Sequence, residues 1–203
     1  YRSSAASDVY KRQMQNCFVE NSPIAAPEGR ALVDRINPLI KTCRTAGVLI
    51  IHTSHVIRPD RSNIGVMGEI IPSENTDMIR KGMPSAELHD RLNVADGDVL
   101  LDKPRFGSFH GTDLELILRA RGIDTIIVSG ICTNICCETT AREANVRDFR
   151  VCFLTDGTAT FAIDDLSAED VQNATCATLG FAFAQQSTVD EMIARVEATQ
   201  NNT

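Results

Sequence analysis

Short apolar runs alternate along the chain with longer stretches in which apolar residues recur every three or four positions. The second pattern marks one face of a helix, and a short unbroken apolar run marks a strand buried on both sides. A helix is predicted over Pro27–Gly47, where Leu32, Val33, Ile36, Leu39, Ile40 and Cys43 share a face. Gly47 is its stop, and Pro38 in its interior predicts a kink. Val48–Ile51 reads as a buried strand, and residues 52–77 as one long loop of mixed character. Ser85–Leu92 then reads as a short helix and Asp98–Asp102 as a second strand. Thr112–Gly122 is a helix with Thr112 as N-cap and Glu115 three residues on. Thr125–Ser129 is a third strand, Thr133–Asp148 a helix, Arg150–Leu154 a fourth strand and Asp156–Thr160 a polar loop. Ser167–Phe183 is a helix capped by Ser167 with Asp170, and Ser187–Val196 is the last helix.

Alternating strands and helices predict a single α/β domain, a doubly wound, mostly parallel sheet of Rossmann-like order. Strands 98–102, 125–129 and 150–154 are expected along one half, with 48–51 seeding the other. Ligands in such sheets bind beyond the C-terminal ends of the strands. That directs attention to His52–Arg58, Lys103–His110, Gly130–Cys137 and Asp156–Phe161. The expected domain is residues 13–196, followed by a polar tail, 197–203. The segment 1–12, YRSSAASDVYKR, has no strand pattern and no signal-peptide core. It reads either as a non-native leader or as a disordered natural terminus, and it leaves the first strand of the fold doubtful.

Composition narrows the function. Hydrophobic residues make up 43% of the 203 positions and charged residues 23%, which are globular values. A net charge of −7 disfavours a nucleic-acid partner, and no apolar run approaches the length of a membrane span. The seven cysteines are an odd number, several within apolar runs, which fits reduced thiols and a cytoplasmic location.

The strongest chemical signal is VSGICTNICCETTAREA, Val128–Ala144. A strand ends, a glycine permits a sharp turn, and a helix opens with Cys136 in its first turn. Free N–H groups and the helix dipole favour a thiolate there and can stabilise an oxyanion. The alternative is a small buried cysteine packing helix on sheet. The spacing Cys132, Cys136, Cys137 is a poor zinc motif. In DKPRFGSFHG, Asp102–Gly111, Lys103 follows a strand and Phe106 and Phe109 could wall a pocket. An ordinary edge lysine is the plainer reading of Lys103.

At these residues the chain resembles the isochorismatase-like cysteine hydrolases, among them nicotinamidase and the N-carbamoylsarcosine, ureidoacrylate and biuret amidohydrolases. The resemblance spans roughly residues 13–195 and rests on Thr133, Cys136, Thr140 and Ala141, with the Lys-Pro-Arg-Phe segment. It implies Cys136 as nucleophile and Lys103 as triad lysine. It also implies a cis Ile131–Cys132 bond and an oxyanion hole from the N–H groups of Cys132 and Cys136. The family's Asp-x-Gln-Asn-x-Phe block falls on Gln13, Gln15, Asn16 and Phe18, so Gln13 stands at the position of the triad aspartate. The expected pocket residues are Asn16, Phe18, His55, Arg105, Phe106 and Phe109. The metal of nicotinamidase-type members is not expected, because the segment after the second strand reads His52-Thr53-Ser54-His55. The implied activity is hydrolysis of a small amide, carbamoyl or ureido substrate through a thioester, in a homo-oligomer without cofactor. An impaired homologue serving as a binding subunit and a redox-responsive thiol protein are the competing expectations.

Overall fold

The computed structural model describes the backbone of residues 8–200 and the side chains of residues 14–199. Its six-stranded parallel sheet comprises β1 (Asp8–Gln13), β2 (Leu49–His55), β3 (Val99–Lys103), β4 (Thr125–Ile131), β5 (Arg150–Ala159) and β6 (Gln185–Ser187). The strand order is β3-β2-β1-β4-β5-β6. The chain therefore works outward from β1 to one edge, returns, and continues from β4 to the other. The switch point lies between β1 and β4, where doubly wound sheets open a crevice for ligands.

The longer helices cover both faces. On one side lie α1 (Asn16–Val19), α2 (Gly29–Thr45) and α8 (Val189–Gln200), over a core that includes Ile50, Ile127 and Leu154. On the other lie α5 (Leu114–Ala120), α6 (Glu138–Asn145) and α7 (Ala168–Ala182), over Ile51, Ile126, Val128, Val151 and Phe153. Burial on both faces is why these strands read as apolar runs without alternation. Two short helices, α3 (Met67–Ile70) and α4 (Ser73–Asp77), break the long segment between β2 and β3. Gly47 and Gly122 close α2 and α5 with φ of 74° and 64°, the left-handed stop that glycine adopts without steric cost. Pro38 does lie inside α2. Ser167 and Asp170 form the reciprocal capping box of α7.

Several elements depart from the sequence reading. β3 is an edge strand beside β2, not a neighbour of β4; apolar runs mark strands without ranking their neighbours. Leu100 on β3 is 65% exposed, as an edge position permits. Residues 8–13 form a central strand, paired with both β2 and β4, despite the polar composition of DVYKRQ. Ser85–Leu92 is not a helix. After one 3-10 turn at Pro84–Ala86 the chain extends, and the His89 amide donates to Met14 O at 2.9 Å while Glu87 O accepts from the Asn16 amide at 2.9 Å. Non-local backbone pairing overrides the local helical period there. Asp156–Thr160 is largely strand, because β5 continues to Ala159 past a register shift against Val128/Gly130. The first turn of the predicted 133–148 helix is a π turn, Thr133–Cys137. The cap of α5 falls on Asp113; Thr112 Oγ1 still accepts from the Leu114 amide at 3.2 Å. β6, with sequence Gln-Gln-Ser, carries no apolar signal and went unpredicted. Among the described residues no helix is long and apolar enough to cross a membrane.

One buried charge ties the β2 side of the sheet to α2. The Asp98 side chain is 3% exposed and accepts from Arg44 Nη2 at 2.7 Å, and its carboxylate lies 2.8 Å from His52 Nε2. It also accepts the Ala95 amide at 3.0 Å. Burial pushes the Asp98 carboxyl up, but the Arg44, His52 and Ala95 hydrogen bonds outweigh it and hold the carboxyl below its ordinary range. The folded state therefore binds this proton less readily than the unfolded chain does. The stabilisation is complete above the unfolded value near 3.9 and fades as pH falls through the lower folded value. Asp98→Asn should lower unfolding free energy at pH 7 by about 1–3 kcal/mol. Urea titrations should find that deficit shrinking below about pH 4; a deficit independent of pH would show that charge is not what Asp98 contributes.

Candidate active site

Cys136 sits at the mouth of the β1/β4 crevice because β4 ends at Ile131 and the chain turns at once into the Thr133–Cys137 π turn. Single π turns widen a helix and recur at functional sites. The Ile131–Cys132 peptide is cis. The Cys132 carbonyl accepts from the Cys137 amide at 3.1 Å, which closes the turn. Cys132 and Cys136 both face a cavity of about 280 Å³. Its wall is mostly apolar, from Phe18 on α1, Ile70 and Ile71 at the end of α3, Phe106, Ile135 and Phe161.

Lys103, the last residue of β3, is 1% exposed, so its ammonium needs partners within the protein. Nζ donates to Arg105 O at 3.0 Å and to Phe106 O. Burial lowers the Lys103 pKa, while hydrogen-bonding contact with the Cys136 side chain, and the nearby Cys137 and Glu143, work against that shift. The lysine and the cysteine thus meet although their strands stand at different places in the sheet. Burial pushes Cys17 up to about 12 and raises Cys132 and Cys137 well above the ordinary thiol range, which keeps all three protonated.

Side chains given no role in the sequence reading, Thr140 and Gln15 of the matching motifs and Glu143 outside them, fix the two blocks together. Thr140 Oγ1 donates to Cys136 O at 2.7 Å and accepts the Ser108 amide at 3.2 Å. Glu143 accepts the Phe109 amide at 3.1 Å. The helix behind Cys136 is therefore bolted to the segment that follows Lys103. Gln15, fully buried, clamps the end of β2. Its Oε1 accepts the His55 amide at 2.7 Å, and its Nε2 donates to His55 O at 3.0 Å and to Ala86 O at 2.7 Å. Its place in the Asp-x-Gln-Asn-x-Phe block was the only signal for it.

Of the residues expected to form the pocket, Phe18, His55 and Phe106 lie on the cavity wall. Three do not. Asn16 turns away to donate to Pro84 O at 2.9 Å. Arg105 donates from Nη1 to Asn63 O and Pro104 O, both at 2.6 Å, and so braces the long loop. Phe109 is 6% exposed and packs at 5.6 Å from Phe149 in the core on the other side of the sheet. In DKPRFGSFHG the chain turns between Phe106 and Phe109, sending the two rings to different surroundings. Gln13 ends β1 opposite Gly130, so its backbone reaches the same sheet edge; its side chain lies outside the described residues.

The histidines do not assemble the metal set of the nicotinamidase type. His52 is bound to Asp98, and His55 has a backbone hydrogen bond to Pro104. Among the described residues no three His, Cys, Asp or Glu side chains are grouped to hold a metal ion.

Burial, followed by the nearby charge of Lys103, lowers the His55 pKa from 6.5 to about 3. The unfolded chain takes up a proton at this residue below pH 6.5 and the folded protein does not. The stability linked to His55 is therefore complete above that value and declines as pH falls towards about 3. Imidazole ¹⁵N spectra should show His55 neutral at pH 5; a midpoint near 6.5 would contradict its environment.

Comparison with known proteins agrees with this geometry. Residues 13–194 match the Isochorismatase domain family. The chain is 35% identical over 173 residues to Nicotinamidase 3 of Arabidopsis thaliana, covering 84% of this chain and 79% of that protein. It is 31% identical over 140 residues to ureidoacrylate amidohydrolase RutB of Methylorubrum extorquens, covering 63% of this chain and 56% of the relative. A crystal structure of a cysteine hydrolase from Pseudomonas syringae pv. phaseolicola 1448A superposes with a TM-score of 0.93. It has 33% identity and covers 98% of this chain and 96% of its own. A thiol at a sheet switch point, a buried lysine against it and a match over nearly the whole fold lead to one conclusion: this chain belongs to the isochorismatase family of hydrolases.

Proposed function

We propose that the protein is a cysteine amidohydrolase that cleaves the C–N bond of a small amide, carbamoyl or ureido compound. The observation that carries this reading is the contact of the buried Lys103 with Cys136, which itself lies on the wall of an apolar cavity. The amidohydrolase names of the two relatives support the reaction class. The sulfur of Cys136 attacks the carbonyl carbon, and the backbone N–H groups of Cys132 and Cys136 receive the developing oxyanion. The Lys103 ammonium faces the sulfur and offsets its negative charge. The C–N bond then breaks, the nitrogen leaves with the proton originally on sulfur, and water hydrolyses the thioester to release the acid and restore the thiol.

The step short of a partner is proton transfer. A glutamine at position 13 has no basic lone pair with which to carry the thiol proton to the leaving nitrogen. His55, with a pKa of about 3, is too weak a base to replace a carboxylate working against a thiol. This residue choice favours a second reading, that the chain as written binds substrate and turns it over poorly.

Gln13→Asp should raise ammonia release from small ureas, carbamoyl amino acids and primary amides by about 10²-fold or more. The double change with Cys136→Ser should stay near background, because a serine hydroxyl is much harder to deprotonate. If the Gln13→Asp protein releases no ammonia from any of them while Cys136 still labels with iodoacetamide, the amidohydrolase reading fails. If the chain with Gln13 is already fully active, the assignment of the proton carrier fails.

A further inference from the structure

The cavity beside Cys136 is walled without fixed charge. Among its described lining residues none is Arg, Lys, Asp or Glu. The polar groups there are the thiols of Cys132 and Cys136, with Asn75, Thr76 and His55. Burial keeps the His55 ring neutral. Three cations of the segments behind the wall are committed elsewhere. Arg105 gives Nη1 to the carbonyls of Asn63 and Pro104, both at 2.6 Å. Arg61 donates to Thr76 Oγ1 at 2.9 Å and to Asp77 Oδ1 at 2.7 Å. Lys103 is buried and turns Nζ to the carbonyls of Arg105 and Phe106 and to Cys136. The rest of the wall is mostly hydrocarbon, with Phe18, Ile71, Phe106 and Phe161 its larger faces.

The volume, about 280 Å³, sets the size of what enters. A cavity of about 150 Å³ lined by Leu, Ile and Phe takes up one benzene ring, so this one admits a single ring or a branched alkyl group together with its amide. A carboxylate in the same space would give up water for a wall with no cation to receive it, and an unpaired charge is among the costliest groups to bury. We infer that the cavity selects uncharged primary amides with a hydrocarbon body and rejects amides whose body carries a carboxylate. The hydrocarbon lies against Phe18, Ile71 and Phe161, and the amide carbonyl lies at Cys136. The place of the carbonyl rests on the amidohydrolase reading; the preference for an uncharged body rests on the wall alone. Carbamoyl amino acids and ureido acids fall on the rejected side, which narrows the substrate class.

The test is binding to Cys136→Ser protein, in which no covalent adduct forms. 4-Methylbenzamide and 4-carbamoylbenzoate share a ring and an amide and differ by a methyl group against a carboxylate. Calorimetry at pH 7 should find 4-methylbenzamide the tighter ligand by about 10²-fold or more. Phe161→Ala, which removes a ring from the wall, should weaken it by about tenfold. Ile70 stands at the rim of the cavity, 79% exposed, where a new side chain does not disturb the core. Ile70→Arg should therefore narrow the ratio between the two ligands by about fivefold, by attracting the carboxylate. Equal affinity for the two ligands, tighter binding of the carboxylate, or no binding of 4-methylbenzamide would overturn the inference. So would a ratio that Ile70→Arg leaves unchanged, or 4-methylbenzamide binding that Phe161→Ala does not weaken. Turnover by the Gln13→Asp protein separates this inference from the hydrolase reading. Absence of ammonia release from every amide would overturn that reading alone, whereas release from 4-carbamoylbenzoate as fast as from 4-methylbenzamide would overturn this one.

Discussion

A buried ammonium is the constraint around which the site is built. Lys103 leaves β3 at the edge of the sheet, and Cys136 follows β4, three strand spacings away. At about 4.8 Å per spacing that is roughly 14 Å, too far for a short side chain to cross unaided. The long lysine and the inward turn of residues 133–137 close the gap between them. Having been taken out of water, the ammonium requires compensation, which the carbonyls of Arg105 and Phe106 provide together with the Cys136 side chain. The same carbonyls that steady Lys103 fix the bend that places Phe106 on the cavity wall. The bolt from Thr140 to Ser108 and to the Cys136 carbonyl holds the Lys103 segment and the Cys136 segment in one frame.

A second frame faces the first across the crevice. Gln15 ties the end of β2 to the turn at Ala86, and so holds His55 beside the cavity. Polar groups on this wall are few, the thiols of Cys132 and Cys136 with His55, Asn75 and Thr76, set among Phe and Ile side chains. Such a division suits a small ligand with one polar end, and it leaves water few places to compete.

Much of this was legible in the sequence. The apolar runs located β2 through β5, because strands buried on both faces have no polar alternation to obscure them. The glycine turn before Thr133 and the Lys-Pro-Arg-Phe segment directed attention to Cys136 and Lys103. What the sequence could not convey was any feature held by distant backbone. The extended segment after Pro84 pairs with residues 14–16, and helical periodicity in Ser85–Leu92 has no bearing on that pairing. β6 is polar and carries no strand signal, and the composition of β1 leaves the first strand doubtful from sequence alone. Phe109 and Phe106 are three residues apart and chemically identical, yet one packs in the core and the other lines the cavity. Arg105 has the charge of a substrate clamp and spends it on the carbonyls of Asn63 and Pro104.

The central proposal is that Lys103 activates Cys136 and none of the other six cysteines. Site-resolved alkylation tests it: short exposure to iodoacetamide at pH 7, with the rate at each of the seven cysteines followed by peptide mass spectrometry. The account predicts that Cys136 modifies first. Lys103→Met, which keeps the length and removes the charge, should slow it by about tenfold or more, since thiolate content sets the rate. Cys132, on the same cavity wall, should lag in both proteins. Alkylation of Cys132 as fast as Cys136, or a Cys136 rate unchanged in Lys103→Met, would contradict the account.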